Sequence, residues 1–204
     1  MTKYNNRYAE LRDSLKTGDI VLFSGTGPIS RIIQLGTFCK WSHVGMILKI
    51  PGEYDFICLW ESTTLSDTRD VDGEVIKGVA LSQLSQSVAD YDGEIGIRRL
   101  DANLDETDHL ILMDLRKKLK GALYEKDYLE LLGSVWDGPF GLNTADLSTI
   151  FCTELTAEAY QALELLDKDK PANEYTPSDW AHMEQLREGR YYKLGKIEML
   201  KEKR

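Results

Sequence analysis

Cys152 is the residue whose type and position most suggest chemistry. It follows Phe151 in FCTELTAEAYQALELL, a segment that predicts a long helix starting at Ser148 or Thr149. In the first turn of that helix a cysteine would face unpaired N–H groups. Such groups favour the thiolate, and they can also stabilise an oxyanion. The alternative interpretation is a small buried residue that packs beside Leu155.

His43 is the natural base for such a thiol, because imidazole titrates near neutral pH. It opens an apolar strand predicted over residues 43–50, where the first side chain can face a cleft while the others pack. Alternatively, it is a partly exposed residue at a strand edge. His109 and His182 lie on polar helical segments, for which we predict solvated surface positions.

Glu61 and Tyr124 could complete a catalytic set. Glu61 follows a strand predicted over residues 54–60, and a turn at residues 51–53 would pair this strand with the preceding one as a hairpin. A carboxylate there would fix the tautomer of the imidazole and stabilise the imidazolium, or else it points into water. The hydroxyl of Tyr124 could assist the nucleophile or the oxyanion, although its apolar neighbours favour a packing role.

The elements that must position these residues follow from apolar periodicity and turn signals. We predict helices near residues 5–16, 28–35, 82–90, 105–121 and from 148 onward, with strands near residues 19–24, 43–50, 54–60, 75–81, 94–100 and 191–200. Antiparallel strands therefore dominate the first half and helices the second. This order predicts an α+β fold around one core.

The composition is that of one globular domain and excludes some partners. The chain has 204 residues, of which 42% are hydrophobic, and a formal net charge of −9. This charge repels phosphates, so we predict no nucleic-acid partner and no non-specific binding to anionic lipid. The basic run at residues 116–120 is interpreted as complementing the dipole at a helix end.

Cysteine usage and hydropathy narrow the location and the chemistry. Cys39, Cys58 and Cys152 are three widely spaced cysteines, a pattern typical of neither a disulfide scaffold nor a zinc site. We therefore predict no metal and no cofactor. No signal peptide and no transmembrane segment is recognised, which predicts a cytoplasmic protein, although delivery by a route without a Sec signal would give the same pattern.

Eight short motifs join these residues in one order. They are TGDIVLFSG, WSHVGMIL, LWES, GVALSQLSQ, IGIRRL, GALYEKDY, IFCTELTAEAY and YTPSDW. Together they resemble the landmarks of the circularly permuted NlpC/P60 cysteine hydrolases, the YiiX/YebB-like branch. The resemblance covers roughly residues 17–180 of a single domain that spans residues 1–204, leaving the leading helix and the last strand as extensions.

The resemblance implies a papain-like α+β fold in which a mainly antiparallel sheet packs against the catalytic helix. In the permuted order this helix follows the histidine strand instead of preceding it. The resemblance further implies Cys152 as nucleophile, His43 as base, Glu61 as the group that orients the imidazole, and Tyr124 as an active-site tyrosine.

Departures from the family pattern affect the substrate. Leu123 and Glu125 flank Tyr124 where the family usually has proline and aspartate. An insertion at residues 67–77 and the Gly-rich loop at residues 133–142 are expected to shape the cleft. The substrate therefore does not carry over from the family.

The leading hypothesis is a cysteine hydrolase, a thiol protease or amidase, that cleaves an amide or ester through an acyl-enzyme. A second is a lipid acyltransferase or thioesterase, with Trp41, Trp60, Trp136 and Phe140 lining an apolar cleft. Lecithin:retinol acyltransferase-type enzymes share the permuted order, but their NCEHF motif is not matched by FCTEL. A third is a non-catalytic binding module. The substrate could be a small molecule, a peptide or a lipid acyl group, and the oligomeric state is not predicted.

Overall fold

The computed structural model describes residues 3–50, 56–122, 144–187 and 192–204. Its strands are β1 (Tyr4–Asn6), β2 (Ile20–Gly25), β3 (His43–Ile50), β4 (Phe56–Arg69), β5 (Val75–Gln83), β6 (Gly93–Asp101) and β7 (Lys193–Lys203). Its helices are α1 (Tyr8–Leu11), α2 (Pro28–Thr37), α3 (Leu84–Asp90), α4 (Glu106–Leu119), α5 (Thr144–Ala162) and α6 (Pro177–His182). The strands form one antiparallel sheet in the order β1-β7-β6-β2-β3-β4-β5. The α+β class predicted from the sequence is confirmed.

Both faces of the central strands are buried, which explains their nearly continuous apolar sequences. On β2, Ile20 and Leu22 belong to the core that β3 and β4 share with α5. Val21 and Phe23 alternate with them and belong to the core on the α3 side. The sheet is therefore a middle layer between two cores. Residues at the ends of its strands lie next to both cores.

Helix α5 packs against β3 and β4. Leu155, Ala159 and Leu163 follow one another at helical spacing and are all buried. This apolar stripe fixes which side of α5 faces the sheet, and with it the position of Cys152.

Arg98 on β6 joins the sheet to the C-terminal part of the chain. Its guanidinium donates to the carbonyl oxygens of Trp180 (2.9 Å), Met183 (2.7 Å), Leu194 (3.0 Å) and Gly195 (2.7 Å). The side chain is 3% exposed. A planar group with several fixed donors can satisfy such a set of carbonyls, so this arginine is structural.

The far end of the β4–β5 hairpin folds back onto the outer edge of β5. Val71 N donates to Leu81 O (2.8 Å), and Leu81 N donates to Asp70 Oδ2 (2.9 Å). Gly78 has φ 88°, a left-handed conformation that favours glycine, and the pairing register shifts along β4. These irregularities bend the hairpin and bring its far end back against the outer edge of β5.

Arg116 on α4 holds this folded segment. Its Nη2 lies 2.9 Å from Asp70 Oδ1 and 2.8 Å from Asp72 Oδ2. Lys120 adds contacts to Asp72 (2.9 Å) and Glu74 (2.8 Å). The interpretation of this basic run as a dipole complement is therefore wrong for Arg116, which is buried and paired with acids far along the chain.

The N-terminal region also differs from the prediction. The helix predicted over residues 5–16 is replaced by strand β1, the one-turn helix α1 and a 3-10 turn at Arg12–Ser14. Pairing of Tyr4 with Lys203 adds the chain to the sheet edge and prevails over local helical spacing. Within the described ranges, no helix is long and apolar enough to cross a membrane.

Candidate active site

His43 and Glu61 are in contact across neighbouring strands. His43 Nε2 lies 2.7 Å from Glu61 Oε2, and the side chains are 22% and 14% exposed. His43 begins β3, whereas β4 continues past Glu61 to Arg69, so the prediction that this strand ends at Trp60 is wrong. The register, in which Met46 faces Trp60, extends to place Glu61 opposite Gly45, two residues from His43 on the same face of the sheet. Gly45 allows this approach, since a Cβ atom there would lie 2.6 Å from Leu59 and 3.3 Å from the Glu61 side chain.

Cys152 contacts the same imidazole through a side-chain hydrogen bond. Nε2 already faces Glu61, which leaves Nδ1 for the sulfur. Burial by itself would lower the pKa of His43, but the charge and hydrogen bond of Cys152, together with those of Glu61, raise it to about 10. The imidazole is therefore cationic at neutral pH and lies between a carboxylate and a thiol.

The position of Cys152 in its helix differs from the expectation. Helix α5 begins at Thr144, not at Ser148 or Thr149, so Cys152 lies two turns inside it. The unpaired N–H groups of a helix start therefore do not stabilise this thiolate, because the dipole effect is confined to the first turn. Cys152 is also fully buried.

Neighbouring hydroxyl groups hold the backbone around Cys152. Thr156 Oγ1 donates to Cys152 O (3.1 Å), and Thr153 Oγ1 donates to Tyr175 O (2.5 Å). Tyr175 precedes the capping box of α6, in which Thr176 and Asp179 bond to each other's backbone N–H groups. The TPSDW motif thus fixes the position of Tyr175, which accepts a hydrogen bond from α5 next to Cys152.

A cavity of about 980 Å³ opens beside His43 and Glu61. Its apolar lining comes from Phe23, Ile29, Ile33, Val71 and Tyr91. Serine and glutamine side chains line the rest, together with residues 68–71 and Gly73 of the predicted insertion. Within the described chain, Cys152 is not among the lining residues, so the thiol lies behind the imidazole as seen from the cavity.

Two of the aromatic residues suggested for an apolar cleft lie elsewhere. Trp60 is 1% exposed and Trp41 is 3% exposed, and both belong to the core. Trp41 also borders a separate cavity of about 390 Å³. Trp136 and Phe140 lie outside the described residues, as does the loop at 133–142.

Tyr124, with its neighbours Leu123 and Glu125, also lies outside the described residues. The other histidines are elsewhere. His109 bonds to Asp105 O (2.8 Å) and Thr17 Oγ1 (3.2 Å), and His182 bonds to Ser178 O (2.8 Å). Cys39 and Cys58 are free, buried thiols.

Tyr91 is a neighbour of the site that the sequence analysis missed. Its ring lies 4.9 Å from Phe23, whose ring is 5.4 Å from His43, and its hydroxyl bonds to Ser42. Burial, with the negative charge of Glu61 close by, raises the pKa of Tyr91, so the hydroxyl keeps its proton. No local pattern identifies this tyrosine, because β2 and the end of α3 meet only in the folded chain.

No protein-family model matches this chain, and no curated protein matches it either. Among solved structures, the chain is similar to the metalloprotein yiiX (DUF1105) from Escherichia coli O157:H7, with 22% sequence identity and a TM-score of 0.47. The similarity covers 72% of this chain and 64% of that one. Within the described part of this chain, no group of three or more His, Cys, Asp or Glu residues is arranged to hold a metal ion.

Proposed function

We propose that the protein is a cysteine hydrolase that cleaves an amide or ester bond through an acyl-enzyme. One observation carries the proposal: His43 contacts Glu61 through Nε2 at 2.7 Å and also forms a side-chain hydrogen bond with Cys152. A nucleophile, a base and an acid that orients the base form the set that acyl transfer needs. A buried histidine in a purely structural role does not require a thiol partner.

In the first half of the reaction, the proton of the Cys152 thiol resides on His43, and the thiolate attacks the carbonyl carbon. A carbon–sulfur bond forms while the carbonyl π electrons move to oxygen. When the tetrahedral intermediate collapses, His43 gives its proton to the departing amine or alcohol, and the carbon–nitrogen or carbon–oxygen bond breaks. A thioester with Cys152 remains.

In the second half, His43 takes a proton from water, and the resulting hydroxide attacks the thioester. Collapse breaks the carbon–sulfur bond and releases the carboxylic acid and the Cys152 thiolate, and His43 keeps the proton taken from water, which restores the starting state. Glu61 accepts a hydrogen bond from Nε2–H throughout, so Nδ1 is the nitrogen that exchanges the proton. Donors to the oxyanion must lie outside the interior of α5, where backbone N–H groups are already bonded, and Tyr124 retains this role in the proposal.

The finer fold assignment belongs to the same proposal. A histidine strand that precedes the cysteine helix, with α5 packed against β3 and β4, is the arrangement expected of a circularly permuted papain-like domain. The order of these elements along the chain supports the permutation.

The proposal is tested by trapping the acyl-enzyme. We expect p-nitrophenyl acetate, which is small enough for a buried thiol, to transfer one acetyl group to Cys152, identified by mass spectrometry of peptides. Cys39 and Cys58 serve as internal control thiols. His43→Ala should slow the acetylation of Cys152 by about 10²- to 10⁴-fold, the usual contribution of a general base.

Acetylation of Cys39 and Cys58 at the same rate as Cys152 would contradict the proposal. So would an unchanged rate for Cys152 in the His43→Ala variant. Either result would leave a binding module on this scaffold as the better hypothesis.

A lipid thioesterase or acyltransferase is a second candidate, favoured by helix α2. Ile29 and Ile33 of this helix line the cavity. Leu35 is 76% exposed, and Phe38, the residue that follows the end of the helix, is 97% exposed. Phe38 borders the separate cavity of about 390 Å³, so the apolar contacts that α2 offers to an acyl chain beside His43 come from Ile29 and Ile33. Native mass spectrometry separates the candidates, because a co-purified fatty acyl group would favour the lipid hypothesis.

A further inference from the structure

We infer that Arg69 forms an anion-binding subsite in the cavity and selects peptide substrates that carry a free carboxylate near the cleaved bond. The inference rests on the proposed function, because it assigns a substrate class to the cavity beside His43. It concerns the insertion at residues 67–77, where the chain departs from the family it resembles.

The folded hairpin brings Arg69 close to the proposed reaction centre. Glu61 pairs with Ala80 on β5, and Val71 lies on the other side of β5, bonded to Leu81. Arg69 is the last residue of β4 and pairs with Val75 on β5, and it lines the same cavity as His43 and Glu61. The cavity therefore connects Arg69 with the proposed reaction centre.

The charge of Arg69 is available to a ligand. Its side chain lines the cavity and donates from Nη1 to Gly73 O (3.2 Å), and within the described chain it forms no ion pair. The acids that also line the cavity have partners: Glu61 bonds to His43, Asp70 to Arg116, and Asp90 accepts from Gln86. A guanidinium without an ion-pair partner in the described chain favours an anionic ligand when the neighbouring carboxylates are already bonded. Its planar arrangement of donors matches a carboxylate.

The lining near Arg69 favours a peptide over an acyl chain. Ser82, Gln83, Gln86 and Ser87 contribute neutral hydrogen-bonding groups there. Such groups complement the N–H and C=O groups of a peptide backbone, whereas a hydrocarbon chain would leave them without partners. The substrate class that fits is a short peptide, bound with its carboxylate at Arg69 and its scissile carbonyl at His43.

The test measures binding without turnover, using the Cys152→Ala protein. The probes are N-acetyl peptides of one to four alanines, each as the free acid and as the carboxamide, titrated by NMR. We expect the acid to bind about tenfold or more tightly than the amide for at least one of these lengths. Arg69→Gln should remove the difference, and Arg69→Lys should retain part of it.

Arg31→Gln is the matched control, because Arg31 is exposed on α2 and is not among the described lining residues. This variant should keep the preference for the acid. Equal binding of acids and amides at every length, or a preference that survives Arg69→Gln, would overturn the inference. Binding of decanoate as tightly as the peptide acids, independent of Arg69, would overturn it in favour of a lipid.

The outcome is separable from the test of the proposed function. Acetylation of Cys152 is measured with a neutral reagent on a protein that retains the thiol, whereas peptide binding is measured on a protein that lacks it. If Cys152 is not acetylated but Arg69 still selects acids, the hydrolase proposal alone fails. Acetylation without any Arg69-dependent binding contradicts the subsite alone.

Discussion

Two buried contacts between a cation and a carboxylate border the same cavity, and they differ in what their cations can do. His43 and Glu61 lie 2.7 Å apart, and Arg116 and Asp70 lie 2.9 Å apart. Arg116 is permanently charged, and its partners are all acids. His43 titrates and touches a thiol as well as an acid. A buried ion pair alone is thus no mark of catalysis, and what distinguishes His43 is a proton that can move to Cys152.

The largest effect that we expect comes from breaking the structural pair. Arg116→Ala leaves Asp70, which is 0% exposed at its side chain, with an uncompensated charge. The free energy of unfolding should fall by about 3–5 kcal/mol, measured by urea denaturation. The rate of Cys152 acetylation per folded molecule should stay near that of the wild type, because Arg116 does not touch the proposed reacting groups.

Two variants control this comparison. Lys118→Ala removes a charge from the same helix, but Lys118 is exposed and pairs with Asp114, so the change should stay below about 1 kcal/mol. Combining Arg116→Met with Asp70→Asn removes both charges and should be less harmful than Arg116→Ala. Equal losses for Arg116→Ala and Lys118→Ala would show that the buried pair is not stabilising the hairpin.

The difference between the two pairs also explains what could be predicted from the sequence. The proximity of His43 and Glu61 follows from two apolar strands and a short turn, which are local signals. Asp70 and Arg116 are separated by 46 positions, and the fold-back of the hairpin that joins them depends on Gly78 and on an irregular register. No periodicity in the sequence encodes that bend.

The start of α5 shows a different limit. Ser148 and Thr149 are good capping residues, which predicts a helix start there, yet the helix begins at Thr144. The error of four residues changes the chemistry assigned to Cys152, because one turn separates a thiol at a helix start from a thiol inside a helix. The contact with His43, more than a hundred positions away, remains the stronger basis for a functional assignment.

An intermediate effect is expected from Glu61→Gln, which weakens the support of the imidazolium. The native pKa of His43 is about 10, so the ring holds its proton at neutral pH and releases it as the pH rises through 10. Cleavage of an amide, whose leaving group needs that proton, should therefore persist into alkaline solution and fall above about pH 10. In the variant, the pKa should drop by on the order of one unit, which moves this fall to lower pH.

The pKa change is measurable by NMR titration of the histidine ring nitrogens, which are few because the chain has 3 histidines. Glu202→Gln, exposed on β7, is the matched control and should leave the titration of His43 unchanged. A pKa for His43 near 6.5 in the wild-type protein would contradict the arrangement with both partners. Arg116 keeps its proton over this pH range and does not titrate. The experiment therefore distinguishes the His43–Glu61 pair from the Arg116–Asp70 pair.

The smallest effect concerns two buried hydroxyl groups, one with a partner and one without. Thr153 donates to Tyr175 O, whereas the hydroxyl of Ser62 has no partner within the described chain. Thr153→Val should therefore destabilise the protein by about 1 kcal/mol, and Ser62→Ala should stabilise the unliganded protein by a similar amount, both measured by urea denaturation. Destabilisation by Ser62→Ala would mean that the hydroxyl is already satisfied. Stabilisation would show that burial of this hydroxyl without a partner costs free energy in the folded protein.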